Sequence, residues 1–119
     1  MRKTIVLSAG ISSLLTLAAV WSFGWAALPS KVTLENARVR VSEVTYEPGM
    51  ARERFTRPTD EVIVFLDDCR YERTDSVTHE KTIRERKPGD VIWHNKGEDA
   101  PQLINLGTKP YRTLVIELK

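Results

Sequence analysis

The chain has 119 residues, with 18 Lys and Arg against 16 Asp and Glu for a net charge of +2, which bounds it to a single domain of ordinary size. Two of those cations, Arg2 and Lys3, stand at the start, and the remainder carries 16 charges of each sign, which excludes the basic excess that nucleic acid or an anionic membrane surface requires. One cysteine, Cys69, excludes an internal disulfide and a cysteine-rich zinc site, and two histidines, His79 and His94, exclude a centre built on three imidazoles.

Met1-Arg2-Lys3 is followed by an uncharged stretch from Ile5 to Leu28. A bilayer core of about 30 Å takes roughly 20 apolar residues as a helix, so this segment is long enough to span one. It also ends in the small residues Gly24, Ala26 and Ala27 that a signal peptidase reads. Residues 1–27 are therefore expected to be a signal peptide or a membrane anchor helix, ahead of a folded domain over 28–119. Both alternatives export the folded part. The expected destination is the periplasm or secretion, or else attachment to the inner membrane through residues 5–28. Contact with a membrane is expected only through that segment.

The rest of the chain reads as short strands. Val39 and Val41 alternate with charged neighbours, the period of a half-buried strand. Pro48-Gly49 breaks the chain, and Ala51 to Arg57 is polar and extended until Pro58-Thr59-Asp60. Glu61 to Leu66 is the most β-prone run and is apolar on both faces, as in a central strand covered on each side. Tyr71 to Thr74 and Val77 to Arg86, joined through Asp75-Ser76, read as a charged hairpin facing solvent. Pro88-Gly89-Asp90 leads into Val91 to His94, Asn95-Lys96-Gly97 into Gln102 to Leu106, and Gly107 to Pro110 into a closing strand, Tyr111 to Leu118. Eight or nine short strands with Gly/Pro punctuation indicate an all-β sandwich or barrel.

The order of turns and strands from Val39 to Lys119 resembles the cupin superfamily, small barrels of the double-stranded β-helix or jelly-roll type. The family's first motif runs Gly, His, His, Glu, Gly; here Gly49, Phe55, Arg57 and Glu61 hold the first four places and Asp68 the last. The second motif is opened by Gly89-Asp90 and carried on by Asn95, Gly97 and Asn105, with its histidine place falling on Ala100 or Pro101. The resemblance implies a single jelly-roll barrel. In metal-binding cupins the histidines and glutamate of these motifs hold a divalent metal, and only Glu61 keeps a ligand here. Phe55, Ala100 and Pro101 have no donor side chain, and the guanidinium of Arg57 stays protonated. One carboxylate falls short of the three or four protein ligands a transition metal takes, so neither metal nor cofactor is expected. His79 and His94 read as exposed polar residues.

Strand alternation turns residues 55, 57 and 61 toward one space, together with Val91 or Trp93 and with Leu103. A buried carboxylate needs a proton or a cation. Arg57 is therefore expected to occupy the volume of the missing metal and to neutralise Glu61, the alternative being that Arg52, Arg54 and Arg57 form a solvated edge. The expected ligand-binding residues are Phe55, Arg57, Glu61, Trp93 and Gln102, with Tyr46 nearby. An arginine beside an aromatic suits a carboxylate-bearing or sugar-like ligand. The same aromatics equally fit a filled core. No catalytic constellation is evident. Tyr46, Tyr71 and Tyr111 qualify as bases by residue type alone.

The expectation is an exported, metal-free, non-enzymatic cupin-like domain that binds a small molecule or a protein partner. The alternative is a cupin-type enzyme, a dioxygenase, isomerase or lyase, with an atypical or absent metal site. A homodimer through the outer apolar face of Val62, Val64 and Leu66 is expected under either.

Overall fold

A computed structural model describes residues 28–119, and the expected leader or anchor at 1–27 lies outside them. Every regular element described is a strand: β1 Ser30–Glu35, β2 Val39–Tyr46, β3 Ala51–Arg52, β4 Phe55–Thr56, β5 Asp60–Phe65, β6 Cys69–Thr74, β7 Lys81–Arg86, β8 Val91–His94, β9 Asp99–Ala100, β10 Gln102–Asn105 and β11 Tyr111–Leu118. They form a five-stranded sheet in the order β1-β2-β11-β5-β8, a four-stranded sheet β3-β10-β6-β7, and the short pair β4-β9. All these pairings are antiparallel.

Glu61 to Phe65 behaves as its sequence requires on one side only. Glu61, Ile63 and Phe65 are buried and point into the barrel, while Val62 and Val64 between them are half-buried on the outer face. The expected covering of that second face is not supplied by residues 28–119. β1, which the sequence reading passes over, adds an edge strand whose register with β2 slips between Val32 and Leu34. The polar stretch 51–57 becomes the two short strands β3 and β4.

The core is a cluster of rings from both sheets. Tyr46 and Tyr111, directly opposite each other on β2 and β11, stack with centroids 4.7 Å apart and planes 3° from parallel. Phe65 and Tyr71 lie 6.3–6.4 Å from Tyr111, closing the cluster between the sheets. Ring pairs of this kind add about 0.5–1.5 kcal/mol each beyond the area they bury.

Three of the motif positions are structural. Gly49 and Gly97 take φ of +75° and +85°, a region closed to most side chains, and so allow tight turns between short strands. Asn105 is 2 % exposed and clasps three segments. Its Nδ2 donates to the carbonyls of Tyr46 (3.0 Å) and Lys109 (2.9 Å), and its Oδ1 accepts from the Gly107 amide at 2.8 Å.

Candidate functional site

Between the two sheets lies a cavity of about 580 Å³. Its floor is the ring cluster of Tyr46, Phe65, Tyr71 and Tyr111, and its walls come from the inward positions of both sheets. Register decides which residues those are. β8 pairs with β5 so that Glu61 faces His94, Val62 faces Trp93 and Ile63 faces Ile92. Residues directly opposite share a face, so His94 and Ile92 point in with Glu61 and Ile63.

Arg57 and Glu61 behave as expected. Each residue is 4 % exposed, and Arg57 Nη1 donates to Glu61 Oε1 at 2.8 Å across the Pro58-Thr59-Asp60 turn. The Arg57 backbone is fixed as well: its amide donates to the Glu98 carbonyl at 3.0 Å, and its carbonyl accepts from the Gly97 amide at 2.9 Å. The solvated-edge alternative fails for Arg57 but holds for Arg54, which pairs with Asp99 at the surface.

The other expected ligand residues lie differently from one another. Phe55 is 38 % exposed; the Arg52 and Arg57 guanidinium carbons lie 5.2 and 5.6 Å from its ring centroid, so it serves as a shelf beneath two arginines rather than as cavity lining. Trp93 borders the cavity, yet it is 51 % exposed, because the register sets it opposite Val62 on the outer face, and its ring N–H donates to Asn95 Oδ1 at 2.9 Å. Gln102 sits opposite Thr74 on the outer face of the four-stranded sheet, one residue out of phase with Leu103, which does point in. Tyr46 belongs to the lining as expected.

His94 and the hairpin are where the sequence reading missed the site. His94 is not a bystander on the surface: it lines the cavity, and its Nδ1 lies 2.8 Å from Glu98 Oε1. The hydrogen bond to His94 holds the Glu98 carboxyl below its usual range, against a smaller opposing effect of burial. The β6–β7 hairpin is not charged on a solvent face only. Tyr71 opposes Arg84 and Cys69 opposes Arg86, so Arg73, Arg84 and Arg86 point inward with them. The available signal was the spacing of two between Tyr71 and Arg73 and between Arg84 and Arg86.

Burial acts on two groups here. The Cys69 thiol is half-buried and is pushed up to about 11, so it stays protonated at neutral pH. Burial also raises the Tyr111 phenol, which remains a donor throughout the ordinary range.

The sequence matches no family model, and no curated protein is significantly similar to it. Solved structures are similar in fold. A cupin domain from Bordetella pertussis superposes with a TM-score of 0.68 at 19% identity, over 79% of this chain and 95% of that one. The fold is that of the cupin superfamily. A polyketide cyclase from Streptomyces resistomycificus aligns with a TM-score of 0.60 at 16% identity, over 75% of this chain and 63% of its own. A putative mannose-6-phosphate isomerase from Ralstonia eutropha aligns with a TM-score of 0.59 at 16% identity, over 76% of this chain and 83% of its own.

Cupin barrels that hold a divalent metal need a cluster of donors, and the donor set here does not fit one. Glu61 is already engaged by a guanidinium, and Ala100, fully buried, has no donor atom. His94 is engaged by Glu98, and among the described residues no three His, Cys, Asp or Glu side chains converge.

Proposed function

We propose that this cupin barrel is an exported, metal-free binding module that takes a small molecule in the cavity between its sheets. The observation that carries the reading is the buried Arg57–Glu61 pair, 2.8 Å apart. Its fixed positive charge occupies the donor position that a metal ion would need, while a cavity of about 580 Å³ stays open beside it. That volume and its mixture of rings and convergent polar groups match small-ligand sites in general. The decisive experiment combines metal analysis of the purified full chain with a thermal-shift screen of small carboxylates, phosphates and sugars. Less than 0.1 equivalent of iron, manganese or zinc together with a saturable shift is expected; a stoichiometric metal overturns the reading. Mass spectrometry of the N-terminus in the native host tests export, with cleavage near Ala26 or Ala27 expected.

One observation favours an enzyme as a second reading. Glu98 holds the Nδ1 side of His94, which leaves Nε2 for the cavity as a proton acceptor. Under this reading the reaction is proton transfer at carbon next to a carbonyl. Solvent deuterium incorporation into a panel of small keto acids, abolished in His94→Gln, is its signature.

The reading includes a homodimer. On the outer face of the five-stranded sheet, register sets Val62 beside Ile116 and Trp93, and Ile116 beside Val41, while Val91 and Trp93 are 59 and 51 % exposed. An apolar face this continuous favours cover by a second copy. Light scattering on the full chain in detergent is expected to give twice the monomer mass, and Trp93→Glu to give one.

A further inference from the structure

The structure assigns a ligand class to the cavity: a small organic anion, with its carboxylate or phosphate on an arginine wall and its apolar body on the ring floor. This rests on the small-molecule reading above and goes further, because it says what the molecule must carry.

The wall is Arg52, Arg73, Arg84 and Arg86, all on the inner face of the four-stranded sheet. Among the described residues none of the four has a carboxylate within ion-pair distance. Arg52 donates to neutral oxygens, the Tyr46 hydroxyl at 3.3 Å and the Pro101 carbonyl, and Arg86 to the Tyr71 hydroxyl at 3.5 Å. Arg73 and Arg84 have neither an ion pair nor a side-chain hydrogen bond within residues 28–119.

A second, independent observation points into the same space. Among the described residues five buried side-chain polar atoms lack a hydrogen-bond partner, and four of them belong to residues lining this cavity: Arg52 Nε, Arg57 Nε, Tyr111 Oη and Thr113 Oγ1. Tyr111 and Thr113 are 1 and 2 % exposed. Orphaned groups of this kind are scarce and costly in a folded protein, so four around one space mark it as a place for a partner.

The sign of that partner follows from what is left unused. The free charged groups of the lining are all guanidinium cations, and the phenol of Tyr111 is held in its donor form by burial. The acceptors of the lining, Glu98 and Asp99, are spent on His94 and on Arg54 with Ser76. A sugar presents donors and acceptors in equal number and leaves the arginines without a counter-charge. An oxyanion offers acceptors only and pairs with guanidinium groups by charge-assisted, two-pronged hydrogen bonds. The stacked rings below supply the contact for an unsaturated or aliphatic body.

The test uses the full chain and five probes in calorimetry: benzoate, phenyl phosphate, inorganic phosphate, neutral benzyl alcohol and glucose. Benzoate or phenyl phosphate is expected to bind saturably, at least tenfold tighter than benzyl alcohol, with affinity falling as potassium chloride is raised. Whichever of the two binds tighter names the headgroup, and inorganic phosphate shows how much the headgroup does alone. The double variant Arg73→Ala/Arg84→Ala is expected to weaken the anions at least tenfold and to leave benzyl alcohol unchanged. Tyr111→Phe, which keeps the ring stack, is expected to weaken them severalfold. Binding of benzyl alcohol or glucose alone overturns the anion class and leaves the small-molecule reading standing. Binding of no probe at millimolar concentration overturns both.

Discussion

The two walls of the cavity are built from the same kind of strand and do opposite work. On the five-stranded sheet the inward residues Ile63, Phe65, Thr113 and Tyr111 are buried, and the buried charge among them, Glu61, is paired with Arg57. On the four-stranded sheet the inward residues Arg52, Arg73, Arg84 and Arg86 are charged and have no counter-charge within ion-pair distance among the described residues. The difference teaches where stability and recognition reside. A wall whose buried charge is paired holds the barrel together, and a wall whose charges have no counter-charge is the one open to recognition.

The comparison predicts a ranking of effects. The largest is at the satisfied wall. Arg57→Ala leaves Glu61 buried and alone and is expected to cost about 3–5 kcal/mol in denaturant unfolding. Replacing both partners, Arg57→Met with Glu61→Leu, is expected to recover most of that loss, because no charge is then left without its counterpart. Phe65→Ala is expected to cost a similar amount, about 3–5 kcal/mol, by opening a hole in the ring cluster.

Next comes the clasp that joins the walls. Asn105→Ala removes three hydrogen bonds, two of them donated to backbone carbonyls, and is expected to cost about 2–3 kcal/mol. If Asn105→Ala melted like wild type, the second motif's asparagine would not be what ties β10 to the neighbouring loops.

The unsatisfied wall should be almost silent in stability. Arg73→Ala and Arg84→Ala are each expected to change unfolding by less than about 0.5 kcal/mol, as substitutions without a partner do. A loss of several kcal/mol in either would show that the arginine is structural and would erase the contrast between the walls.

Smaller still is the response to acid. Hydrogen bonds to Arg112, to the Val77 and Thr78 amides and to His94 hold Asp67, Asp75 and Glu98 below their usual ranges. A depressed carboxyl stabilises the fold above its unfolded pKa, and the benefit disappears as pH falls through the folded value. The melting temperature is therefore expected to be flat from neutral down to about pH 4.5 and to decline below pH 4, modestly and less so in high salt, since these pairs are exposed. At the alkaline end, Cys69, pushed up to about 11, is expected to react with iodoacetamide far more slowly at pH 7.5 than a free thiol does.

Part of this arrangement was legible in the chain itself. The run Glu61 to Leu66, the Gly/Pro breaks and the motif spacings specify an all-β cupin-type barrel, because strand propensity and turn chemistry are local properties. The Arg57–Glu61 pair was legible too, since a motif glutamate without its metal needs a cation and an arginine stands four residues away. The face on which each of the other residues lies was not. Val91-Ile92-Trp93-His94 alternates between two sets, and the tryptophan set is the more apolar, so hydrophobicity alone turns Trp93 inward. The pairing of His94 with Glu61 turns it outward.

Gln102 and Leu103 differ by the same single step of register. Arg73, Arg84 and Arg86 read as solvated because charge normally seeks water, and only the hairpin's position over the ring cluster puts them along the cavity, with Arg73 and Arg86 half-buried and Arg84 exposed. Most of the strands, the turn positions and the missing ligand set were thus settled by the order of residues. Which side of each strand meets the cavity was settled by hydrogen-bond register between strands far apart in sequence, and a shift of one residue there exchanges every inward group for an outward one.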